Sequence, residues 1–342
     1  MPASSIEWAE SGWIADFLVR RGIRRLLGSR LSEQAQRISE KEELADSLQQ
    51  GPLLVEADAA NEQHYEVPPE FFQAVLGSRL KYSCGLWPDP ATTLDESENE
   101  MLRLTAERAG LEDGMRVLDL GCGWGSMSLW IAEHLPRCQV TSVSNSRPQK
   151  DFIDRQCRER GFENVEVITA NVADFDTQQR FDRVVSIEMF EHVRNHRELL
   201  RRIAGWLHPD GKLFVHIFCH RQFAYLFETE GDSNWMGRHF FTGGMMPSFD
   251  WFERFSQDLR VVESWQVNGN HYARTCEAWL QKLDQQKRLL ERLFQQDLTR
   301  SDAARQLQRW RIFMMACAEL FRYRRGDEWF VGHYLFEPKL GE

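Results

Sequence analysis

The chain contains no run approaching the roughly 18 apolar residues of a membrane-crossing helix, so no spanning segment is expected. Positive charge is in deficit: 42 Lys and Arg stand against 52 Asp and Glu, a formal net charge of −10. That balance argues against nucleic acid as the main partner, because phosphate binding needs a basic surface. Seven cysteines occur, at 84, 122, 138, 157, 219, 276 and 317, with no C-x-x-C pair among them. An odd, scattered set suits reduced thiols in a cytosol rather than a disulfide framework, and no metal site is expected. Residues 1–10 lack the basic-then-apolar order of a secretion signal, so a cytoplasmic protein is expected. There is no internal repeat and no low-complexity tract. A length of 342 residues allows one large or two ordinary domains.

What is present centres on Val117-Leu118-Asp119-Leu120-Gly121-Cys122-Gly123-Trp124-Gly125-Ser126. The apolar run at 117–120 predicts a buried parallel strand. The glycines predict a tight turn, and residues 127–135 a helix that Pro136 stops. Strand, glycine turn and helix let backbone approach a nucleotide-like ligand and offer it free N–H groups. The spacing is G-x-G-x-G and no Lys-Ser/Thr follows, so the phosphate-reading elements are missing. S-adenosylmethionine, whose sulfonium and carboxylate need no phosphate cradle, is the guest such a turn fits. Asp119 is expensive inside a buried strand unless bonded, and is expected to accept backbone N–H groups from the loop.

Upstream, residues 13–31 read as a helix in which Arg20, Arg21, Arg24, Arg25 and Arg30 lie among apolar side chains. It is a packed or partner-binding arm, with contact to anionic lipid as the alternative. Residues 61–69 read as a turn into an apolar helix through Phe71, Phe72 and Val75, and Thr93-Leu94-Asp95-Glu96 fits a capping box opening a helix to about Ala109. Downstream, strands at 139–143, 165–169, 184–187 and 213–218 alternate with helices at 148–160 and around 199–207, with a turn at 208–211. This alternation predicts an α/β, doubly wound, mostly parallel sheet. Strands at 260–267 and 330–336, antiparallel partners at one edge, complete it, with two long helices between them. Cys317, at helical spacing among apolar neighbours, reads as a core thiol.

Ligands of such sheets bind at the carboxyl ends of the strands, which here carry Gly121, Asn145, Asn171, Glu188 and His216. Asn145 and Gln149 stand where a ribose reader belongs, and Asn171-Val172-Ala173 is placed to edge an adenine. The densest chemistry is Ser186-Ile187-Glu188-Met189-Phe190-Glu191-His192. Two carboxylates three residues apart beside an imidazole suit acid–base work; the alternative is that Glu191 caps a helix and His192 packs. Residues 223–255 carry thirteen Phe, Tyr, Trp and Met side chains broken by Gly and Pro. They read as an insertion lining an apolar, cation-tolerant pocket, or else as a packed lid.

Tyr82-Ser83-Cys84, residues 118–125, Phe190-Glu191-His192, His216 and Tyr272 resemble the cyclopropane-fatty-acid-synthase-like branch of S-adenosylmethionine-dependent methyltransferases. Residues 61–68, 187–192, 218–220, 240–244, 268–272 and 328–330 are similar, more narrowly, to the coclaurine N-methyltransferases, which methylate benzylisoquinoline amines. The resemblance implies a class I, Rossmann-like methyltransferase fold with a seven-stranded sheet. It implies a helical N-terminal arm and cofactor lid over residues 1–90, and a methyltransferase domain over 91–342 with a substrate-pocket insertion at about 219–259. Cofactor contacts are implied for Tyr82, Ser83, Val117, Leu118, Asp119, Gly121, Gly123, Gly125, Ser144, Asn145, Ser146, Gln149, Asn171, Val172, Ala173 and Ile187. Cys84, Glu191, His216 and Tyr272 match the pocket in which the lipid enzymes hold bicarbonate as base, and Cys317 matches a cysteine assigned to catalysis there. The N-methyltransferases point instead to Glu188, Glu191 and His192.

One departure is informative. The lipid enzymes have glycine where this chain has Glu188, and usually a small aliphatic residue where it has Phe218. A carboxylate beside the methyl is awkward against an alkene and favourable beside an amine. The expectation is an N-methyltransferase acting on a hydrophobic, aromatic or alkaloid-like small-molecule amine, with Glu188 orienting the cation and His192 or Glu191 taking the proton. The alternative is a cyclopropane synthase or lipid methyltransferase working through bound bicarbonate. A homodimer stays open.

Overall fold

The computed structural model describes residues 5–55, 67–231 and 234–339; the expected turn at 61–66 lies outside them. Nine strands form: β1 (Arg116–Leu120), β2 (Gln139–Ser144), β3 (Val165–Thr169), β4 (Phe181–Ile187), β5 (Leu207–His220), β6 (Tyr225–Leu226), β7 (Met245–Met246), β8 (Leu259–Val267) and β9 (Trp329–Pro338). Seven make one sheet in the order β3-β2-β1-β4-β5-β9-β8, and β6 with β7 makes a separate ribbon. The first five strands of the sheet pair in parallel, and β9 runs antiparallel to both neighbours. This is the α/β, mostly parallel sheet that the alternation predicts, with the seven strands of the class I methyltransferase fold that the resemblance implies. One detail differs. Pairing of β5 with β4 jumps from Leu207 opposite Phe181 to Lys212 opposite Arg183, so residues 208–211 bulge within a strand rather than precede it. In the tail, β8 and β9 pair antiparallel at one edge as expected, with β8 outermost.

Side-chain alternation sorts the strands onto two cores. Val117 and Val185 pack with Leu102, Met127 and Ile131 on one face. Leu118, Leu120 and Val184 pack with Leu199, Ile203, Trp251 and Phe252 on the other. The helices, in chain order, are α1 (Ser5–Glu10), α2 (Asp16–Gln36), α3 (Lys41–Gln49), α4 (Pro69–Val75), α5 (Leu94–Ala109), α6 (Ser126–His134), α7 (Arg147–Arg160), α8 (His196–Trp206), α9 (Trp235–His239), α10 (Gly269–Gln285), α11 (Lys287–Phe294) and α12 (Arg300–Phe321). The capping box at Thr93 and Glu96 opens α5 as the sequence predicts, and Gly110, with φ of +61°, closes it. The first of the two long helices expected in the tail is broken at Gln286, giving three.

Three of the five arginines of α2 are engaged within the protein. Arg20 bonds Glu277 at 2.7 Å and Glu319 at 3.0 Å, Arg24 bonds Glu319 at 2.8 Å, and Arg30 bonds Asn234 at 2.7 Å. Burial pushes the Glu319 carboxyl up, but the bonds from Arg24 and Arg20 outweigh it and hold the group below its ordinary range. Glu10 of α1 is tied in the same way, accepting from Trp235 at 2.7 Å and Arg309 at 2.9 Å. The N-terminal arm is thereby clamped to α10, α12 and the inserted segment. Among the described residues no helix is long and apolar enough to cross a membrane.

Candidate active site

Two cavities, of about 610 and about 90 Å³, lie at the carboxyl ends of the parallel strands. Gly121, Gly123, Gln149, Glu188 and His192 line both. The smaller is walled by Val143, Ser144, Asn145, Ala170, Asn171 and Val172, the positions that β2 and β3 deliver as they end. The larger is apolar: Tyr82, Trp124, Phe218, Phe227, Phe241 and Tyr272 face it, and Leu18, Ile23 and Leu27 of α2 form part of its wall.

The glycine turn has three separable parts. Gly121, Gly123 and Gly125 have φ of +85°, +54° and +78°, a region that favours glycine. A Cβ on Gly121 would fall 2.7 Å from Met189, and one on Gly125 2.7 Å from Ile153, whereas one on Gly123 would meet nothing within 4 Å. Gly123 is therefore where bare backbone faces open cavity, and Gly125 is a packing position that lines neither cavity. Asp119 is held by Ser128 (Oγ to Oδ2 2.6 Å) rather than by the loop glycines. Burial lifts its pKa to about 6 against the bonds from Ser128.

Of the other expected cofactor contacts, Tyr82, Ser83, Asp119 and Ile187 line the larger cavity, and Ser144, Asn145, Asn171 and Val172 the smaller. Gln149 accepts from Ser144 Oγ at 2.6 Å, which leaves its buried Nε2 donor without a partner at the junction of the cavities. Val117 and Leu118 are corrected: both are fully buried in the two cores behind the turn. Ser146 caps α7, and Ala173 donates its N–H to Asn171 Oδ1; neither lines a cavity.

The acidic cluster sits where β4 ends. Glu188 has φ of +51°, a left-handed conformation that costs a non-glycine residue about 1–3 kcal/mol, and its N–H donates to the His216 carbonyl at 2.8 Å. Its carboxyl shares a hydrogen bond with Glu191 and lies 3.3 Å (Oε1) from His216 Nε2. Burial, then the like charge of Glu191, pushes Glu188 well above the usual carboxylate range. Burial raises Glu191 to about 8 and lowers His192 to about 4. His192 is therefore a neutral imidazole near pH 7 and a weaker base than either carboxyl.

Cys84 and His216 are fully buried and do not reach the cavity wall. Burial holds the Cys84 thiol well above its ordinary value, so it is no nucleophile. Tyr272 and Cys317 do face the larger cavity, the tyrosine ring stacked on Phe321 at 4.3 Å. The expected core thiol at 317 is thus also a wall residue, hydrogen-bonded to Cys276. Of the inserted aromatics, Tyr225, Phe227, Trp235, Phe241 and Met246 line the cavity, while Phe240, Trp251 and Phe252 pack into the cores.

One member escaped sequence reasoning. Lys81 is fully buried and donates to Ser83 Oγ and, at 2.9 Å, to the Cys84 carbonyl. Burial lowers its pKa to about 8, and its charge favours ionised Glu188. A single lysine between Leu80 and Tyr82 gave no pattern that would mark it as buried.

The model of the mycolic acid cyclopropane synthetase family matches residues 55–329. The chain belongs to this family. Within it, the chain is 38% identical over 339 residues to (S)-coclaurine N-methyltransferase of Thalictrum flavum subsp. glaucum, covering 96% of this chain and 94% of that one. A crystal structure of coclaurine N-methyltransferase bound to N-methylheliamine and S-adenosylhomocysteine superposes with a TM-score of 0.93 at 36% identity, covering 97% of this chain and 98% of that one. A cyclopropane synthase of Mycobacterium tuberculosis shares the fold at a TM-score of 0.71 and 22% identity, covering 84% and 100%.

The raised carboxyl of Glu191 carries a stability consequence. A folded-state pKa near 8 against an ordinary carboxylate value of 4.5 means that folding binds a proton, so this group's contribution is present at low pH and lost as pH rises through 8. Glu191→Gln mimics the neutral form. Its melting temperature should match wild type near pH 4.5 and exceed it by a growing margin up to pH 9. A pH-independent difference in calorimetric scans would contradict the assigned shift.

Proposed function

We propose that this chain moves a methyl group from S-adenosylmethionine to the nitrogen of a hydrophobic, alkaloid-like amine. The observation that carries this reading is the position of the Glu188 carboxyl, placed between Glu191 and His216 on the wall of an apolar cavity. Two of the four residues matching the lipid enzymes' bicarbonate pocket are therefore already engaged by a carboxylate that the chain itself supplies. The relatives named above add support, since the superposed N-methyltransferase holds a methylated amine and S-adenosylhomocysteine.

The residues present fit the cofactor. Bare backbone at Gly123, the unpaired Gln149 amide and the Asn145 and Asn171 side chains converge on the smaller cavity. Gly123 would lie against the amino-acid part, and Ser144, Asn145, Gln149 and Val172 would hold the nucleoside. When bound, S-adenosylmethionine supplies an electrophilic methyl on a sulfonium.

The chain's own contribution is to make the amine a nucleophile and aim it. An alkylamine in water is largely protonated at neutral pH, by analogy with a lysine pKa of about 10.4, and a protonated nitrogen has no lone pair. The cation favours the ionised form of Glu188, as Lys81 does, and the carboxylate so formed attracts and orients it. Because burial has raised both carboxyls toward the amine's own range, the proton passes from nitrogen to the Glu188–Glu191 pair with little driving force in either direction. His192, neutral and facing Phe241 at 6.4 Å, orients the substrate. The aromatic wall excludes water and binds the cation by its π-faces. The described part of the N-terminal arm serves as a lid, α1 and α2 walling the larger cavity that Tyr82 and Ser83 also line. Seven free thiols suit a cytoplasmic enzyme.

Glu188→Gly tests this role. It should raise KM and lower kcat for amines, an overall loss of about 10²–10³ in kcat/KM, the scale of one buried charged contact. Gly123→Val should leave the fold intact and weaken S-adenosylhomocysteine binding at least tenfold by calorimetry. Unchanged amine kinetics in the first variant would overturn the mechanism, and unchanged affinity in the second the cofactor site.

A further inference from the structure

Behind Glu188, three strands present a row of side chains in register. His216 of β5 is paired directly with His333 of β9, and His333 with Trp265 of β8. Directly opposed residues point to the same face of a sheet, and here that row meets α5. Arg108, near the end of α5, lies over the Trp265 ring at 4.9 Å and places Nη1 2.7 Å from His333 Nδ1. His333 Nε2 is 2.8 Å from His216 Nδ1, and His216 Nε2 is 3.3 Å from Glu188 Oε1, a close approach that does not have hydrogen-bond geometry. Both histidines are wholly buried.

The direction of this chain follows from its outer end. A guanidinium has five donors and no acceptor, so His333 Nδ1 must accept. With both rings neutral, His333 then carries its hydrogen on Nε2 and donates to His216 Nδ1. His216 in turn carries its hydrogen on Nε2, facing Glu188. Burial, with the nearby positive charges of Lys81 and Arg108, keeps both imidazoles well below their ordinary pKa and so neutral.

We propose that Arg108 is a remote positioning residue: through His333 it fixes the tautomer of His216, so that an N–H rather than a lone pair faces Glu188 and holds that carboxylate ready for the substrate cation. This role deepens the proposed amine chemistry and rests on it for its purpose, but the tautomers themselves do not. No proton travels outward along the row, since His216 Nε2 is already occupied and arginine gives up none. The other titratable groups around Glu188 are Glu191, Lys81, Cys84, Cys219, Tyr272 and Cys317, and Arg108 itself has Glu107 beside it. None of these offers the outer histidine a competing donor in the structure.

The test reads the tautomers directly in ligand-free protein. Histidine-¹⁵N-labelled protein should show four buried neutral rings with hydrogen on Nε2: His196 and His220, whose Nδ1 atoms accept from Trp251 and from the Gln222 and Phe223 N–H groups, and residues 216 and 333, assigned by the signals lost in His216→Gln and His333→Gln. Arg108→Lys, which keeps a donor without an acceptor, should preserve both of the latter. Arg108→Met should turn them into a mixture. In the same variants the acid limb of kcat/KM against pH for an amine should stay in place for Lys and move up for Met, by less than the roughly one unit that a formed hydrogen bond to a carboxylate is worth, because the contact with Glu188 is charge to dipole. A wild-type ring at 216 or 333 with hydrogen on Nδ1, or Arg108→Met with unchanged tautomers, would overturn the proposal. An altered tautomer with an unmoved limb would overturn it too. Absence of any amine activity would count against the function alone, because the tautomer readout needs no substrate.

Discussion

Two carboxyl groups with no room to be charged together govern the site. Glu188 and Glu191 sit at the end of a buried strand, share a hydrogen bond and are shielded from water by aromatic walls. Leaving them there is expensive, and much of the surroundings offsets that expense. Lys81 is buried in the same region with its ammonium fixed by Ser83 and the Cys84 carbonyl. His216 approaches from β5, and the strained backbone at Glu188 is pinned to the His216 carbonyl. A pair raised toward the pKa of an amine is poorly suited to an alkene and well suited to moving one proton off nitrogen.

The same frame explains how related chains can run different chemistry. The chain belongs to the cyclopropane synthetase family over residues 55–329, and its sheet is shared with a cyclopropane synthase. Introducing Glu188 puts a tethered carboxylate beside His216, and the N-terminal helices, tied down through Glu10, Glu277 and Glu319, complete an apolar cavity of about 610 Å³. In the proposed function reaction type turns on Glu188, while the cavity is walled by elements far from it in sequence.

Much of this was legible from local pattern. The strand alternation, the glycine turn and the capping box at Thr93 are short-range signals, and each element formed within a few residues of expectation. The acid cluster was visible because Glu188, Glu191 and His192 are adjacent in sequence. What sequence could not show is which way a side chain faces. Val117 and Leu118 belong to the turn's motif yet point into the cores, and Gly125 serves Ile153 rather than a ligand. Lys81, Arg108 and His333 carry no local signature. Their roles come from register between β5 and β9 and from helix docking, which are long-range facts.

The central claim is that nitrogen, not an alkene, receives the methyl. The most direct measurement incubates the protein with methyl-labelled S-adenosylmethionine and a mixed pool of hydrophobic amines and unsaturated phospholipids, then separates the two fractions. Label in the amine fraction, dependent on Glu188, is the predicted result. Label confined to phospholipid, and increased by added bicarbonate, would contradict the account.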